Sequence, residues 1–445
     1  MDVPAYVLTL MHRLEQAGFA AYAVGGCVRD SLLGLTPHDY DLCTAAPPEK
    51  IREIFQDYPM FLSGIRHGTV SIICPEQVVE ITTFRTESGY SDHRHPDHVA
   101  FVPQVEADLA RRDFTINALA WSPSRGLCDP FGGRADLENR VLRAVGEPSA
   151  RFREDPLRIL RGLRFSARFR LTPEERTLAA MLALAPLMDS LARERVFSEL
   201  CGLLPWVTAA DLALFAPVLT RVIPELAPCV GLDQRSPHHA YDLFTHIAHV
   251  VEAVPAELPL RWAALLHDVG KPRCFTTDAT GRGHFYGHAQ VGADMAGEIL
   301  LRLKAPTAMT EAVVWLISKH MTPLEPDRKL LRRRLSQYGP QRTRQLLALQ
   351  KADFCSKGVA DAEDAAALEE TGRLLEALLQ EELCLSVSDL AVNGKDLISL
   401  GFQPGPQLGR CLQALLEQVV SEKLPNTRPA LLARAEAILR GKETL

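Results

Sequence analysis

Hydrophobic and polar positions change their rhythm near residue 146. Before it, short β-branched or apolar runs, AYAVG (21–25), GTVSIIC (68–74) and VVEITTF (78–84), alternate with helix-like stretches such as KIREIF (50–55) and ARRDFTINALAW (110–121). Short apolar runs bounded by turn formers predict strands, and their mixture with helical stretches predicts an α/β or α+β segment. After Glu147 strand signals nearly vanish, and helical periodicity runs to the end of the chain. The pattern breaks at GEPSARF (146–152), at CVGLDQRSP (229–237), and near 375, ahead of turns at NGKDL (393–397) and QPGPQLG (403–409). Four segments are therefore expected: 1–145, 146–230, 231–375 and 376–445.

Composition narrows the class. A chain of 445 residues is too long for one hydrophobic core, and 47% hydrophobic with 23% charged residues fits a globular protein. No apolar run reaches the length of a membrane span, so no membrane association is expected. The opening MDVPAYVLTLMHRLEQAGF reads as an amphipathic helix without a basic leader or cleavage site. Ten cysteines without a C-x-x-C pair favour a reducing, cytoplasmic setting. The net charge of −6 argues mildly against nucleic-acid binding, but the basic residues are segregated. Seven arginines fall between Arg151 and Arg170, and Arg328, Lys329, Arg332, Arg333 and Arg334 form a second cluster.

Gly25 and Gly26 close the run Tyr22-Ala23-Val24, and a helix is expected from Val28. A strand ending in two glycines before a helix can aim backbone N–H groups at an anion; a tight turn uses glycine equally well. Asp39-Tyr40-Asp41 places two carboxylates on one face of an extended strand. Hard oxygen donors so placed suit Mg²⁺, whose other positions go to water and phosphates; a solvated strand face is the plainer reading. Glu80, inside an otherwise apolar strand, is costly there unless paired or metal-bound. Three such carboxylates give the cluster that two-metal phosphoryl transfer needs. Arg111 and Arg112 suit triphosphate oxygens. On the same expected helix, Asp113 and Asn117 share a face, as ribose contacts or as a surface pair.

GGCVRD with DYD, then EITTFR, RRDFTINAL, CDPFGGRADL and REDPLRILRGLRFSARF, resemble the bacterial tRNA nucleotidyltransferase/poly(A) polymerase family, class II of the polymerase-β-like nucleotidyltransferases. The resemblance implies an α+β head with a mixed sheet, followed by an all-α body. It implies Asp39 and Asp41 as catalytic ligands of Mg²⁺, with Glu80 as third carboxylate. Gly25, Gly26 and Arg29 would lie against the triphosphate, and Arg111, Arg112, Asp113 and Asn117 would hold phosphates and sugar. DPFGGRADL (129–137) would be a connector with hinge glycines, where a plain loop serves equally.

Asp155 and Arg158 sit three apart at a helix start. An acid and an arginine complement the N4 amino and N3 acceptor of cytosine and the N6 amino and N1 of adenine, and leave uracil and guanine mismatched. The family uses residues here as a protein template, which implies that role for Asp155 and Arg158, with Glu154 orienting the arginine. Arg161, Arg164 and Arg168 continue the helix as candidate nucleotide or RNA phosphate contacts, with Phe165 and Phe169 assigned to the core. The implied reaction is attack of an RNA 3′-hydroxyl on a nucleotide α-phosphate, releasing pyrophosphate. The implied partners are tRNA, CTP and ATP. CCA addition is the first reading; poly(A) polymerase or partial A- or CC-addition is the alternative. Oligomeric state is not legible.

His246, His267, Asp268, His288, His320 and Asp353 all fall in helical contexts between 238 and 354. Imidazoles with carboxylates suit Mn²⁺, Fe, Ni²⁺ or Zn²⁺ better than Mg²⁺. His267-Asp268-Val269-Gly270-Lys271 resembles the signature of the HD metal-dependent phosphohydrolases. That resemblance implies those six residues as ligands of a transition metal; a second, hydrolytic activity on cyclic or terminal RNA phosphates is one reading, and a fold kept as scaffold without activity is the other. A third reading makes the HD segment the active part and the head an RNA-binding module. The tail resembles the C-terminal part of HD-containing tRNA nucleotidyltransferases.

Overall fold

Ala21-Tyr22-Ala23-Val24 is buried along its whole length as β1 (Ala21–Val24) because it lies inside a sheet with a neighbour on each side. The computed structural model describes residues 1–90, 97–237, 240–359, 362–381 and 383–440; residues 441–445 of the expected tail lie outside them. The other strands of the sheet are β2 (Leu42–Thr44), β3 (Met60–Phe61), β4 (Thr69–Ile73) and β5 (Val78–Thr83), followed, after a separate hairpin of β6 (Arg85–Ser88) and β7 (His98–Phe101), by β8 (Ala120–Ser122) and β9 (Gly126–Cys128). Their order is β3-β4-β5-β2-β1-β8-β9. Only β2 and β5 run parallel, in register Leu42 with Ile81; the remaining neighbours are antiparallel.

β4 and β5 alternate in burial, with Val70, Ile72, Val79 and Ile81 fully covered. The helix Pro48–Ile54 packs on both strands, and Ala5–Gln16 packs on β1. A period of two then forces Glu80 onto the opposite, open face, where it is exposed. The desolvation cost expected for a carboxylate inside this run does not arise, because the strand is covered on one side only.

The chain divides into two compact units: residues 1–207 with 214–227, and 208–213 with 228–445. The first takes in the sheet and the helices after 146. There Leu157–Phe169 packs on Arg193–Leu203, and Pro148–Glu154 packs on Glu175–Leu184. The second is helical apart from a small hairpin of Thr276–Thr277 with Gly283–His284. Its tail helices, Pro406–Val420 and Arg428–Leu439, enclose a core of their own around Leu397, Phe402, Leu415 and Leu431.

The DPFGGRADL connector is a tightly closed corner. Asp129 accepts from the backbone N–H of Gly133 (2.7 Å) and Arg134 (2.9 Å), starting the helix Gly133–Glu138. A Cβ on Gly133 would lie 2.1 Å from the carbonyl oxygen of Thr115. That contact is with backbone, which cannot swing aside. Gly133→Ala is therefore expected to destabilise the first unit by about 2 kcal/mol, within the range for overpacking, as read from denaturant midpoints at unchanged slope.

Candidate functional site

Gly25 turns the chain from β1 into the helix Gly26–Leu32 at φ +76°, a conformation open to glycine. Its N–H donates to the carbonyl of Leu119 (2.9 Å), so it is spent on the sheet rather than left for an anion. A Cβ here would lie 2.9 Å from Arg112 Nη1. Glycine thus lets the Arg112 guanidinium come up against the turn, and it is this cation that the loop presents.

Asp39 and Asp41 lie just before β2 rather than within it, because pairing with β1 begins at Ala23 and Leu42. The Asp41 carbonyl still accepts from Val24 N–H (3.0 Å), which anchors the segment. The parallel register places Asp41 and Glu80 at the same level, one residue before Leu42 and Ile81. Partial desolvation of the Asp41 carboxyl, together with the charges of Asp39 and Glu80, pushes its pKa up to about 6 against a lowering by Arg112. Three oxygen donors that repel one another fit a divalent cation, whose charge relieves the repulsion.

The helix expected over RRDFTINAL does not form. The preceding helix ends at Ala110, Phe114 bridges to Ala144, and Thr115–Asn117 is a single 3₁₀ turn. Asp113 draws the backbone out of the helix by accepting from the N–H of Phe114 (2.8 Å), and Thr115 Oγ1 donates to buried Asp136 (2.7 Å). Asp113 and Asn117 meet all the same: Asn117 Nδ2 donates to Asp113 Oδ1 (3.0 Å), and Arg161 Nε donates to Asp113 Oδ2 (2.8 Å). Burial works to raise the Asp113 pKa, but Arg161 and Asn117 outweigh it and hold the carboxyl well below its ordinary range.

The three arginines near the turn differ. Arg111 is locked between Asp108 (3.0 Å) and Glu87 (3.0 Å). Arg112 reaches Asp108 only at 3.4 Å. Arg29 is buried, bound to Asp30 (2.8 Å) and Asn117 Oδ1 (2.6 Å), with its guanidinium 4.4 Å from the ring centre of Phe169 and 5.2 Å from that of Phe165. Desolvation lowers its pKa despite Asp30.

Asp155 joins two helices. Its Oδ1 accepts from Leu157 N–H (3.0 Å) at the start of Leu157–Phe169, and its Oδ2 accepts from Arg195 (2.9 Å). Arg158 donates to Glu154 (2.7 Å) and to the carbonyl of Arg111 (3.2 Å); Arg164 donates to Glu199 (2.7 Å). Arg195 and Glu199 went unremarked in the sequence. The available signal was RERVFSEL (193–200), where a cation and an acid four apart share a helix face and complement the acid and cation at 155 and 164.

In the second unit, His246, His267, Asp268, His288, His320 and Asp353 come together. Asp268 Oδ2 lies 3.2 Å from His267 Nε2 and 3.5 Å from His246 Nε2. Its Oδ1 lies 3.3 Å from His288 Nε2 and 3.9 Å from His320 Nε2. Asp353 Oδ1 is 3.1 Å from His246 Nε2. Every Nδ1 faces a backbone carbonyl: Ser356 (3.2 Å), Ala264 (2.8 Å), Phe285 (2.8 Å) and Ile317 (2.6 Å), in chain order of the histidines. A carbonyl only accepts, so in each neutral ring Nδ1 carries the proton and Nε2 turns a lone pair inward. Such donors fit a borderline metal ion. The groups His246–His267–Asp268 and Asp268–His288–His320 each keep their ligand atoms within 4.8 Å of one another. Burial and the neighbouring His267 lower the His320 pKa to about 4. Burial also opposes charge on His267, but Asp268 outweighs it and the pKa is raised.

Comparison with known proteins places this geometry. Residues 21–143 match the model of the poly(A) polymerase head domain, and 286–435 match a putative tRNA nucleotidyltransferase domain 2. The CCA-adding enzyme of Latilactobacillus sakei is 37% identical over 97% of this chain and 98% of its own. That of Levilactobacillus brevis is 36% identical over 95% of each. The crystal structure of Bacillus stearothermophilus CCA-adding enzyme in complex with CTP shares 27% identity and a TM-score of 0.71, covering 99% of both chains. That of Thermotoga maritima CCA-adding enzyme complexed with tRNA shares the fold, with a TM-score of 0.59 at 20% identity. The chain belongs to the CCA-adding enzyme family, and membership implies a divalent cation at the nucleotidyltransferase centre. Among the described residues no helix is long and apolar enough to cross a membrane.

Two outcomes follow from the electrostatics. A raised Asp41 pKa means that folding disfavours its ionised form, and the penalty grows as pH rises from about 4 to about 6. Asp41→Asn should therefore raise the metal-free stability by up to about 1 kcal/mol above pH 6, after allowance for solvent screening, with no gain below pH 4; thermal melts across that range measure it. Mn²⁺ or Ni²⁺ should stabilise the second unit by about 2–3 kcal/mol at a hundred times its dissociation constant. A His267→Ala/Asp268→Ala variant should lose that shift.

Proposed function

We propose that this member of the CCA-adding enzyme family adds CMP and AMP to the 3′ end of tRNA without a nucleic-acid template. The observation that carries the reading is the common level of Asp41, just before β2, and Glu80 on β5, with the charge of Asp39 acting on Asp41 and Arg112 against the Gly25 turn. The tRNA 3′-hydroxyl attacks the α-phosphate of CTP or ATP, a P–O bond to the new nucleotide forms, and the bond to pyrophosphate breaks. Asp39, Asp41 and Glu80 would hold Mg²⁺, which lowers the hydroxyl pKa and neutralises the leaving group. Arg112 meets the triphosphate at the turn. Arg29, Arg111 and Asn117 set the shape of that turn and of the sugar site, and Asp113, fixed by Arg161, faces the ribose.

Asp155 and Arg158 read the base. Two of the roughly four acceptor directions of the Asp155 carboxylate are taken by Leu157 and Arg195, which leaves acceptors for a cytosine or adenine amino group. Glu154 holds Arg158 in place, and Arg164 is braced by Glu199 toward phosphates. Ten free cysteines fit a reducing cytoplasm.

A second activity has its own support in the inward-facing Nε2 atoms around Asp268. They would hold a transition metal that supplies an activated water, and the cluster would hydrolyse terminal phosphates of RNA.

Labelled CTP and ATP, offered separately and together to tRNA ending at the discriminator base, test the main reading. CMP is expected to enter first and AMP only after it, with Asp39→Ala/Asp41→Ala reducing incorporation at least a thousandfold. Homopolymer growth on unstructured RNA would point to poly(A) polymerase. Incorporation that survives the double substitution would move the activity elsewhere in the chain.

A further inference from the structure

Two large apolar side chains stand in solvent beside ligand-bearing positions of the histidine cluster: Tyr286 is 79% exposed and Met321 59%. Tyr286 lies two residues before His288, and Met321 directly follows His320. The rings of those two histidines meet at 5.2 Å between centroids, with their Nε2 atoms 3.2 Å apart. Tyr286 and Met321 thus lie close along the chain to the two histidines that face Asp268 Oδ1.

Tyr286 is held by design of its loop. Its ring stacks on His284 at 5.3 Å and 6° between planes, and its hydroxyl lies 3.3 Å from His284 Nδ1. His284 Nε2 is bound to Asp278 (3.0 Å). Asp278 in turn is fixed by Thr280 N–H (2.9 Å), Thr280 Oγ1 (2.6 Å) and Arg282 N–H (3.1 Å). Phe285 turns the other way, toward Phe275 (5.4 Å) and the Lys271 ammonium (5.3 Å). The hairpin therefore spends one aromatic residue on packing and displays the next, with one ring face covered and the other open. A flat aromatic surface of this kind suits a nucleobase, and a nearby thioether adds a soft, adaptable contact. Arg282 lies in the hairpin loop, and Arg235, whose carbonyl accepts from Gly283 N–H, has its guanidinium 6.0 Å from the Phe275 ring centre. Both supply positive charge that matches a polyanion.

We propose that Tyr286 and Met321 clamp the terminal base of an RNA whose 3′-phosphate enters the cluster at His288 and His320. The assignment rests on the hydrolytic reading of that cluster and names its substrate as an RNA 3′ end. In the reaction a water oxygen bonds to phosphorus and the P–O bond to the ribose breaks. The ribose oxygen takes a proton from that water, leaving a 3′-hydroxyl and inorganic phosphate. The product is the group that the nucleotidyltransferase reaction consumes.

The full chain, loaded with Mn²⁺ or Ni²⁺, is assayed on a 3′-phosphorylated oligoribonucleotide, on free 3′-CMP and on p-nitrophenyl phosphate. Tyr286→Ala and Met321→Ala should each raise KM for the oligoribonucleotide roughly tenfold, with kcat and p-nitrophenyl phosphate turnover unchanged. Tyr286→Phe should retain the wild-type KM. Equal losses on all three substrates, or an unchanged KM on RNA, overturn the clamp; an effect confined to 3′-CMP overturns RNA as its occupant. If the wild-type chain hydrolyses none of them, the hydrolytic reading fails, and the clamp is then judged by binding alone. An oligoribonucleotide ending in 2-aminopurine should be quenched by the wild-type chain and not by Tyr286→Ala; quenching by both overturns the clamp.

Discussion

Three carboxylates that repel one another where β2 and β5 run parallel set the arrangement of the first unit. The parallel pair in an otherwise antiparallel sheet brings Asp41 and Glu80 to one level, and Asp39 lies near enough for its charge to act on Asp41. Around that negative centre the arginines are graded. Arg111 is neutralised by Asp108 and Glu87, Arg29 is enclosed by Asp30, Asn117 and two rings, and Arg112 is held loosely against the glycine turn. Arg112 is thus less tightly neutralised than Arg111. The grading is made by Asp108, a fully buried acid whose two oxygens serve both arginines unequally.

A second chain of contacts ties this centre to the helix Leu157–Phe169. Arg29 holds Asn117, Asn117 holds Asp113, and Asp113 holds Arg161 on Leu157–Phe169. Each link is short and partly or fully desolvated, so each is stronger than a surface pair and costlier to break singly. Asp155, on the same helix start, is fixed from its far side by Arg195. Asp155 and Arg158 are thus each held by partners within the protein.

Legibility followed sequence distance. The turn at Gly25 and the pairs Asp39–Asp41 and His267–Asp268 stand out in the sequence because their spacing is local, although the Gly25 N–H goes to the sheet and not to an anion. Glu80 was legible as an anomaly, though for a reason the fold removes, since alternation sets it on an open face. RRDFTINAL read as helix from its apolar spacing, yet Asp113 capping its own neighbour and the Phe114–Ala144 bridge override that propensity. The bridge joins residues thirty apart, and the Arg195–Asp155 pair forty apart; no window of the sequence displays either. The histidines were legible as a set, but the orientation of their rings depends on carbonyls at helix ends that only the fold supplies.

The histidine cluster also has an electrical logic. Asp268 is fully buried and faces His246, His267, His288 and His320, with Lys271 Nζ 2.7 Å from its Oδ2 and Gln234 holding that ammonium at 2.9 Å. Burial opposes its charge, yet His267 and Lys271 hold its pKa well below the usual range. Against the cost of burial, Asp353 is also kept ionised, chiefly by its hydrogen bond with His246 and then by Lys357. Burying two carboxylates in one cluster is costly unless each is paired and hydrogen-bonded. Four Nδ1–carbonyl bonds nevertheless fix the rings in the one tautomer that leaves the centre electron-rich. Such inward-facing donors suit a cation, whose charge would offset the crowding of Asp268 and Asp353.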